Sequence, residues 1–249
     1  NLRWRAIMAS SFRILVINIG STTTKVAFFE NDLLKFQQTI DHVSQQLESI
    51  TDYMKQFPLR KEEIEEFVAK NNIELNKCHM IVSRGGLTAP LSSGVYLVDE
   101  GMREDLRSGK YGQHPTNLGP LIAHDLAKEA SIRAVIVDGP SIDEYEPLAR
   151  VSGIPEIERK SAFHALNQKA AARRAADEMG VRYETTNMVV AHLGGGITIG
   201  AHQKGRVIDS TLGVGEGPMT AERAGSLPTM DILRLLESGK FSLVDFRRR

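Results

Sequence analysis

Residues 18–25, Asn18-Ile19-Gly20-Ser21-Thr22-Thr23-Thr24-Lys25, separate two apolar runs, ILVI (14–17) and VAFF (26–29). Four consecutive hydroxyl side chains, a glycine and a lysine at the junction of two strands read either as a polar hairpin tip or as a cradle for phosphate. A glycine turn lets backbone N–H groups converge without Cβ interference, which makes a small anion-binding concavity. Ser21, Thr22, Thr23 and Thr24 would add hydroxyl donors, and Lys25 a point charge suited to phosphate. The surroundings read as a meander: ILVI as one strand, KVAFFE (25–30) as its antiparallel partner, and NDLLKFQQTI (31–40) as a third strand after an Asn31-Asp32 turn.

The pattern recurs. A shift of 174 residues lays His192-Leu193-Gly194 over Asn18-Ile19-Gly20, and the Lys204-Gly205 turn over Glu30-Asn31. Strand, glycine turn, strand, polar turn, strand thus occurs twice, and a duplication constrains architecture more than local propensity does. It predicts two similar domains, residues 1–150 and 151–249, facing each other with one polyphosphate held between their glycine turns. The second turn, HLGGG (192–196), has no hydroxyl and would rely on bare backbone at Gly194, Gly195 and Gly196. Neither turn matches GxxxxGK[ST] or a strand-to-helix GxGxxG, so P-loop and dinucleotide-binding readings lose.

The intervening chain reads as α/β layers. Leu47, Ile50, Met54 and Phe57 recur at helical spacing, with Pro58 expected to stop that helix. KEEIEEFVAKNN (61–72) reads as a second helix, with Glu62, Glu63, Glu65 and Glu66 on a solvated face. HMIVSRGG (79–86) reads as a strand emptying into a glycine turn. Leu118, Leu121, Ile122 and Leu126 mark a helix before the strand AVIVDG (134–139), and the helix SAFHALNQKAAARRAADEMG (161–180) is capped by Gly180.

Composition excludes several classes. Of 249 residues, 41% are apolar, and 31 Lys and Arg balance 31 Asp and Glu, so no global charge draws the chain to nucleic acid or to a membrane surface. Any anion must be met by local charge. The single cysteine, Cys78, forms no intramolecular disulfide and fits a reducing cytosol. No apolar run approaches the ~20 residues of a membrane helix, no secretory signal is visible, and no Cys/His metal constellation is present; a cytoplasmic protein is expected. The opening, NLRWRAIMAS, lacks an initiator methionine and Met8 reads as a start, so residues 1–7 are left out of the fold reading. The ending, FRRR, reads as an incomplete frame.

Six blocks in order, ILVINIGSTTTKVAFFE (14–30), SRGGLTAPLSSGVYLVDEGMREDL (83–106), HPTNLGPLIAHDLA (114–127), GIPEIERKSAFHALNQKAAARRAADE (153–178), VVAHLGGGITIGAHQKGRVID (189–209) and GEGPMTAERAGSLP (215–228), resemble the butyrate branch of the acetate kinase family, in the wider actin, sugar kinase and Hsp70 fold. The resemblance runs from about Arg13 to Ser242. It implies duplicated ribonuclease H-like (actin-like ATPase) domains, the second expected to be incomplete, and transfer of the ATP γ-phosphoryl group with magnesium to a short-chain carboxylate such as butyrate, giving an acyl phosphate and ADP. By resemblance, Arg84 binds the substrate carboxylate with His114 as a further donor, and His164 and Arg223 stabilise the transferring phosphoryl group. Asp138 would sit near the metal and the attacking oxygen. Asn18 and Lys25 would face phosphates and magnesium, joined at the nucleotide by Gly20, Ser21, Thr22, Thr23, His192 and the three glycines of the second turn. The family also suggests association into a homo-oligomer.

The chemistry is coherent on its own. A short fatty acid has a carboxyl pKa of ~4 to 5, so its nucleophile is already an anion at neutral pH and no general base is required. The protein must supply positive charge for that anion's approach and donors aimed at the equatorial phosphoryl oxygens. Taken without the resemblance, Arg84 before Gly-Gly reads as a surface turn, Asp138 at a strand's carboxyl end reads either as a site residue or as the cap of a following turn, His164 reads as a partly buried packing residue, and Arg223 as a surface partner of Glu216 or Glu222. His42, His79, His124 and His202 read as solvated or structural. A sugar or polyol kinase of the same fold, with Asp138 as base, and an inactive nucleotide-binding fragment stand as alternatives.

The chain departs from the family pattern at Ile19, where proline is usual, at Val214, where Asp is frequent, and at Gly195, where the acetate kinases proper carry Asn. After Ser242, LVDFRRR leaves the pattern, and the family continues into a region that carries an adenosine-binding glycine turn and a metal-associated carboxylate. The expectation is little or no turnover by these 249 residues alone, with apolar surface and an unpaired strand edge at the HLGGG hairpin.

Overall fold

The computed structural model describes residues 11–42, 52–213, 215–221 and 223–247. Leu47 and Ile50 of the first expected helix, Val214 and Glu222 lie outside the described residues. The chain divides into two compact units between Ser141 and Ile142. The expected boundary was near residue 150, but Asp143–Arg150 belong with the second unit: Glu146 N–H donates to Ile208 O at 3.1 Å, and Tyr145 Oη lies 2.6 Å from Ser210 Oγ.

The first unit is built on β1 (Arg13–Ile19), β2 (Thr23–Glu30) and β3 (Leu33–Asp41), the meander read from sequence, followed by β4 (Met80–Ser83), β5 (Val95–Leu97) and β6 (Arg133–Val137). Their order is β3-β2-β1-β4-β6-β5, with β4 and β6 parallel to β1 and β5 antiparallel on the far edge. Among the described residues its α-helices are α1 (Phe57–Lys70), α2 (Glu100–Ser108) and α3 (Leu118–Glu129). The core joins Leu15, Ile17 and Ile19 of β1 and Ile81 of β4 to Ile64 and Phe67 of α1 and to Leu118, Ile122 and Leu126 of α3. Cys78 is free and buried, and burial pushes its thiol pKa up.

Pro58 does the reverse of what periodicity predicts. It lies in the first turn of α1, where a missing N–H costs nothing and a fixed φ starts a helix; a 3₁₀ turn, Tyr53–Gln56, precedes it. One helix therefore covers both the residue meant to end a first helix and the segment meant to form a second. Glu63 is also corrected: it leaves the solvated face, with its Oε2 buried and without a hydrogen-bond partner among the described residues.

The second unit contains α4 (Ala165–Glu178), the strands β7 (Asn187–Leu193), β8 (Ile197–Gln203) and β9 (Arg206–Ser210) in the order β7-β8-β9, and the short helices α5 (Thr229–Glu237) and α6 (Leu243–Arg247). As expected, Gly180 ends α4 in the left-handed region (φ 69), and the Val181 N–H returns to Ala176 O at 2.9 Å. Asn72 and Ser131 end α1 and α3 by the same device, with φ of 52 and 58. Among the described residues β7 pairs with β8 alone, and Val189 and Leu193 are exposed, as anticipated for this hairpin.

The duplication holds bond by bond, with one adjustment. Arg13 pairs with Glu30 on β1–β2, and Asn187 with Gln203 on β7–β8. The glycine turn spans four residues between Ile19 and Thr24 but three between Leu193 and Ile197. From that point the repeat runs at 173 rather than 174, so the Lys204-Gly205 turn matches Asn31-Asp32, one residue later than the sequence alignment placed it. Asn31 (φ 55) and Lys204 (φ 49) both take the left-handed conformation that opens this turn. The register slips at Phe28/Phe29 in β2–β3 and at Ala201/His202 in β8–β9, again 173 apart, so even the bulge is repeated.

Candidate active site

Three parallel strands deliver three of the predicted residues to one edge of the first sheet. Ile17 pairs with Ser83, and Ser83 with Ile136, so Asn18, Arg84 and Asp138 all emerge at the carboxyl ends of β1, β4 and β6, where open α/β sheets bind ligands. Arg84 N–H donates to Ile17 O at 3.1 Å, which fixes the start of the Arg-Gly-Gly turn to β1. The glycines are sterically required there. A Cβ on Gly85 (φ 97) would meet Gly139 Cα at 3.1 Å, and one on Gly86 would meet Asn117 Cα at 2.8 Å. Asn117 fills the space instead, accepting from Leu87 N–H at 2.8 Å, while Thr116 Oγ1 donates to Gly85 O at 2.9 Å.

The half-buried Arg84 guanidinium makes no hydrogen bond or ion pair among the described residues, and burial lowers its pKa. A desolvated cation without a carboxylate partner is a receptor for one. His114 lies at the first glycine turn: its Nδ1 accepts from Thr116 N–H at 3.1 Å, which leaves Nε2–H, in the neutral ring, to donate to Ser21 Oγ at 3.2 Å. Asp138 is buried at φ 41, and its Oδ1 accepts from Ser93 Oγ at 2.6 Å and Gly94 N–H at 3.0 Å. The carboxylate thus holds the turn before β5, a segment far earlier in the chain, rather than the turn that follows it.

Of the four hydroxyl residues in the first turn, Ser21 and Thr22 are exposed and Thr23 is half-buried, while Lys25 points into solvent. Thr24 is corrected. It is fully buried and cannot face phosphate, because its Oγ1 accepts from Arg60 Nη1 at 2.9 Å and contacts His42 Nε2 at 2.9 Å. Arg60, which sequence reading did not single out, lies behind the turn. Parity along β2 is the signal that was available: Thr24 falls on the same face as Val26 and Phe28, both buried.

In the second unit, His164, His192, Gly196 and Arg223 come together. The His164 and His192 rings stack at 3.8 Å between centroids, tilted by 6°. A Cβ on Gly196 would stand 2.6 Å from Arg223 Nη1 and 3.3 Å from His164 Cε1, so only glycine lets both side chains close over the turn. Arg223 Nη1 also donates to Gly213 O. Its proposed surface partner Glu216 is instead taken by Arg159, with Nε and Nη2 each 3.3 Å from the carboxylate. Gly194 and Gly195 are exposed, and Thr220 Oγ1 donates to Gly195 O at 2.8 Å, so this turn does receive a hydroxyl from a distant segment.

His164 is oriented from behind by a buried relay. Tyr183 Oη donates to His202 Nδ1 at 2.7 Å, His202 Nε2–H to Gln168 Oε1 at 3.1 Å, and Gln168 Nε2 to Thr198 Oγ1 at 2.8 Å. The Thr198 hydroxyl, flanked otherwise by donors, gives its proton to His164 Nδ1 at 2.9 Å. Desolvation, reinforced by the Lys169 ammonium, holds His202 down to about 4. Because the unfolded chain binds this proton at ~6.5 and the folded one does not, stability is complete above that value and falls as pH drops from there toward 4. Between pH 7 and pH 5 the second unit is expected to lose about 2 kcal/mol. Denaturant midpoints at the two pH values measure it, and an unchanged slope in His202→Gln would refute the assignment.

Residues 153–247 match the Acetokinase family. Over 241 residues the chain is 48% identical to the probable butyrate kinase of Coprothermobacter proteolyticus, covering 96% of this chain and 67% of that protein. The chain belongs to the acetate kinase family. The family match extends to residue 247, beyond Ser242, where the sequence reading ended the likeness. Among solved structures, a propionate kinase from Francisella tularensis aligns at a TM-score of 0.67 with 18% identity, covering 95% of this chain and 67% of that one. The acetate kinase of Porphyromonas gingivalis aligns at 0.65 with 18% identity, covering 94% and 66%. Those likenesses show the fold, that of the actin-like ATPases, and the chain spans about two thirds of the length of these relatives. Among the described residues no helix is long and apolar enough to cross a membrane.

Proposed function

We propose that this protein transfers the γ-phosphoryl group of ATP to a short-chain carboxylate, with butyrate as the acceptor. The observation that carries the reading is Arg84, a half-buried guanidinium without a protein carboxylate among the described residues, at the strand edge that also bears the phosphate turn. The relative named a probable butyrate kinase supports the choice of acid.

In this reading a carboxylate oxygen, held by Arg84, attacks the γ-phosphorus as the bond to the β–γ bridging oxygen breaks, and ADP leaves with that electron pair. Ser21, Thr22, Thr23, Lys25 and the backbone N–H groups around Gly20 hold phosphate oxygens, with His114 orienting Ser21. His164 and Arg223, supported by the second glycine turn and by His192, serve the oxygens of the transferring group. Among the described residues no cluster of three or more His, Cys, Asp or Glu side chains could hold a metal. That donor set fits magnesium carried largely by the nucleotide's phosphates, with Asn18 and Asp138 as the protein groups nearest the task. Magnesium would supply charge neutralisation of the phosphates.

The test is run at stoichiometric protein, with hydroxylamine trapping acyl phosphate across acids from acetate to isovalerate. Hydroxamate from butyrate in excess of that from acetate is the expected result. Phosphate transfer to glycerol instead would overturn the reading in favour of a hydroxyl acceptor.

A further inference from the structure

Arg60 is a fully buried cation with no carboxylate in salt-bridge contact among the described residues. Its guanidinium is spent on the back of the phosphate turn. Nη2 donates to Ser21 O at 3.1 Å, Nη1 to Thr23 O at 3.1 Å and to Thr24 Oγ1 at 2.9 Å, and Nε to Gln56 Oε1 at 3.0 Å. Thr24 passes the polarisation on, since its hydroxyl, accepting from Arg60, donates to His42 Nε2 at 2.9 Å, and His42 Nδ1 stands 3.5 Å from Glu63 Oε1. A buried cation and a half-buried anion are thus joined through two neutral groups rather than by direct contact. Desolvation, with Arg60 beside it, lowers the His42 pKa, which keeps that ring neutral.

The geometry has a directional effect. Among the described residues every peptide bond is trans, so each N–H points opposite to the carbonyl of its own peptide unit. Drawing the Ser21 carbonyl inward onto Arg60 turns the Thr22 N–H outward, toward the side from which an anion arrives. Because no carboxylate touches the guanidinium, its positive field also reaches through the turn.

We propose that Arg60 is a positioning residue for the phosphate turn: it aims the Thr22 N–H and supplies positive potential from behind without touching the ligand. The proposal rests on the reading of residues 18–25 as a phosphate site. The test titrates the full chain with inorganic tripolyphosphate, by calorimetry and by following backbone amide resonances. In the wild type the Thr22 amide is expected to be among the resonances that shift. Arg60→Met should weaken binding roughly ten- to a hundredfold, and Arg60→Lys, which keeps the charge but loses the fork, should recover part of that loss.

Failure of the wild type to bind tripolyphosphate overturns the phosphate reading and this proposal with it. Wild-type binding together with a folded Arg60→Met that binds within twofold overturns the proposal alone, as does a Thr22 amide that stays still while others move. Should Arg60→Met fail to fold, the Thr22 shift and the Arg60→Lys affinity decide the question.

Discussion

Arg84→Ala is expected to weaken butyrate binding by roughly 100- to 1,000-fold, equivalent to about 3 to 4 kcal/mol, while tripolyphosphate binding stays within about threefold. The asymmetry follows from where the charge sits. The guanidinium is half-buried, has no partner among the described residues and leads off the Arg-Gly-Gly turn, whereas the glycine turn proposed to hold phosphate has its own donors in Ser21, Thr22 and Lys25. Losing this unpaired cation removes both the Coulomb attraction and the fork that fixes the acid's orientation. Arg84→Lys should regain little, because an ammonium is a point donor and cannot hold both carboxylate oxygens in one plane. Titration of each variant with butyrate, read by calorimetry, is the measurement. Undiminished butyrate affinity in Arg84→Ala would remove the observation on which the carboxylate reading stands.

The largest effect on stability is expected from Lys169→Ala, a loss of about 3 to 5 kcal/mol from the second unit. Lys169 on α4 is fully buried; its ammonium donates to Glu144 Oε2 at 2.7 Å and to Gly205 O at 2.9 Å, and lies 5.9 Å from the centre of the Tyr183 ring. Glu144 Oε2 also accepts from Val207 N–H at 3.0 Å, so one carboxylate ties the 142–150 segment to β9 and α4 together. Removing the lysine leaves that largely buried carboxylate with the Val207 N–H but without its counter-charge, which is far worse than never having had a charge there. The same logic predicts a rescue. Lys169→Met combined with Glu144→Gln keeps the volume and the acceptor for Val207 while abolishing both charges, and should restore most of the loss. Chemical denaturation followed by circular dichroism reports both numbers. A loss below about 1 kcal/mol in Lys169→Ala would show that the pair contributes little beyond packing.

The hairpins were legible because turn chemistry and apolar runs coincide there: glycine followed by hydroxyls, and Asn31 or Lys204 where a left-handed residue must open a tight turn. Arg84 and Asp138 were legible as strand ends followed by glycine. What escaped reading has physical causes. Proline is compatible with both the end of one helix and the first turn of another, so Pro58 was assigned to the wrong boundary. The strand β5 is three residues long and largely exposed, and carries no alternation to detect. Arg60 looks like any surface arginine on an acidic helix. Its role arises only when the fold carries it to a carbonyl 39 residues away. Thr24 was misjudged because four hydroxyls in a row were treated alike, although strand parity sends alternate ones to opposite faces. His114, read as a donor to the substrate, has its ring against Ser21 of the first glycine turn, a contact that no local sequence signal announces.

The paired hairpins also bear on where this architecture accepts insertions and deletions. One glycine turn is shorter than the other by a single residue, yet the next turn, its left-handed opening residue and the bulge beyond it keep their spacing. Length can therefore be edited at the glycine-turn tip without propagating a slip into the sheet. A library that varies the tips by one residue while leaving untouched Lys35 and Ile208, the unpaired residues of the two bulges, should return folded chains whose differences are confined to anion recognition.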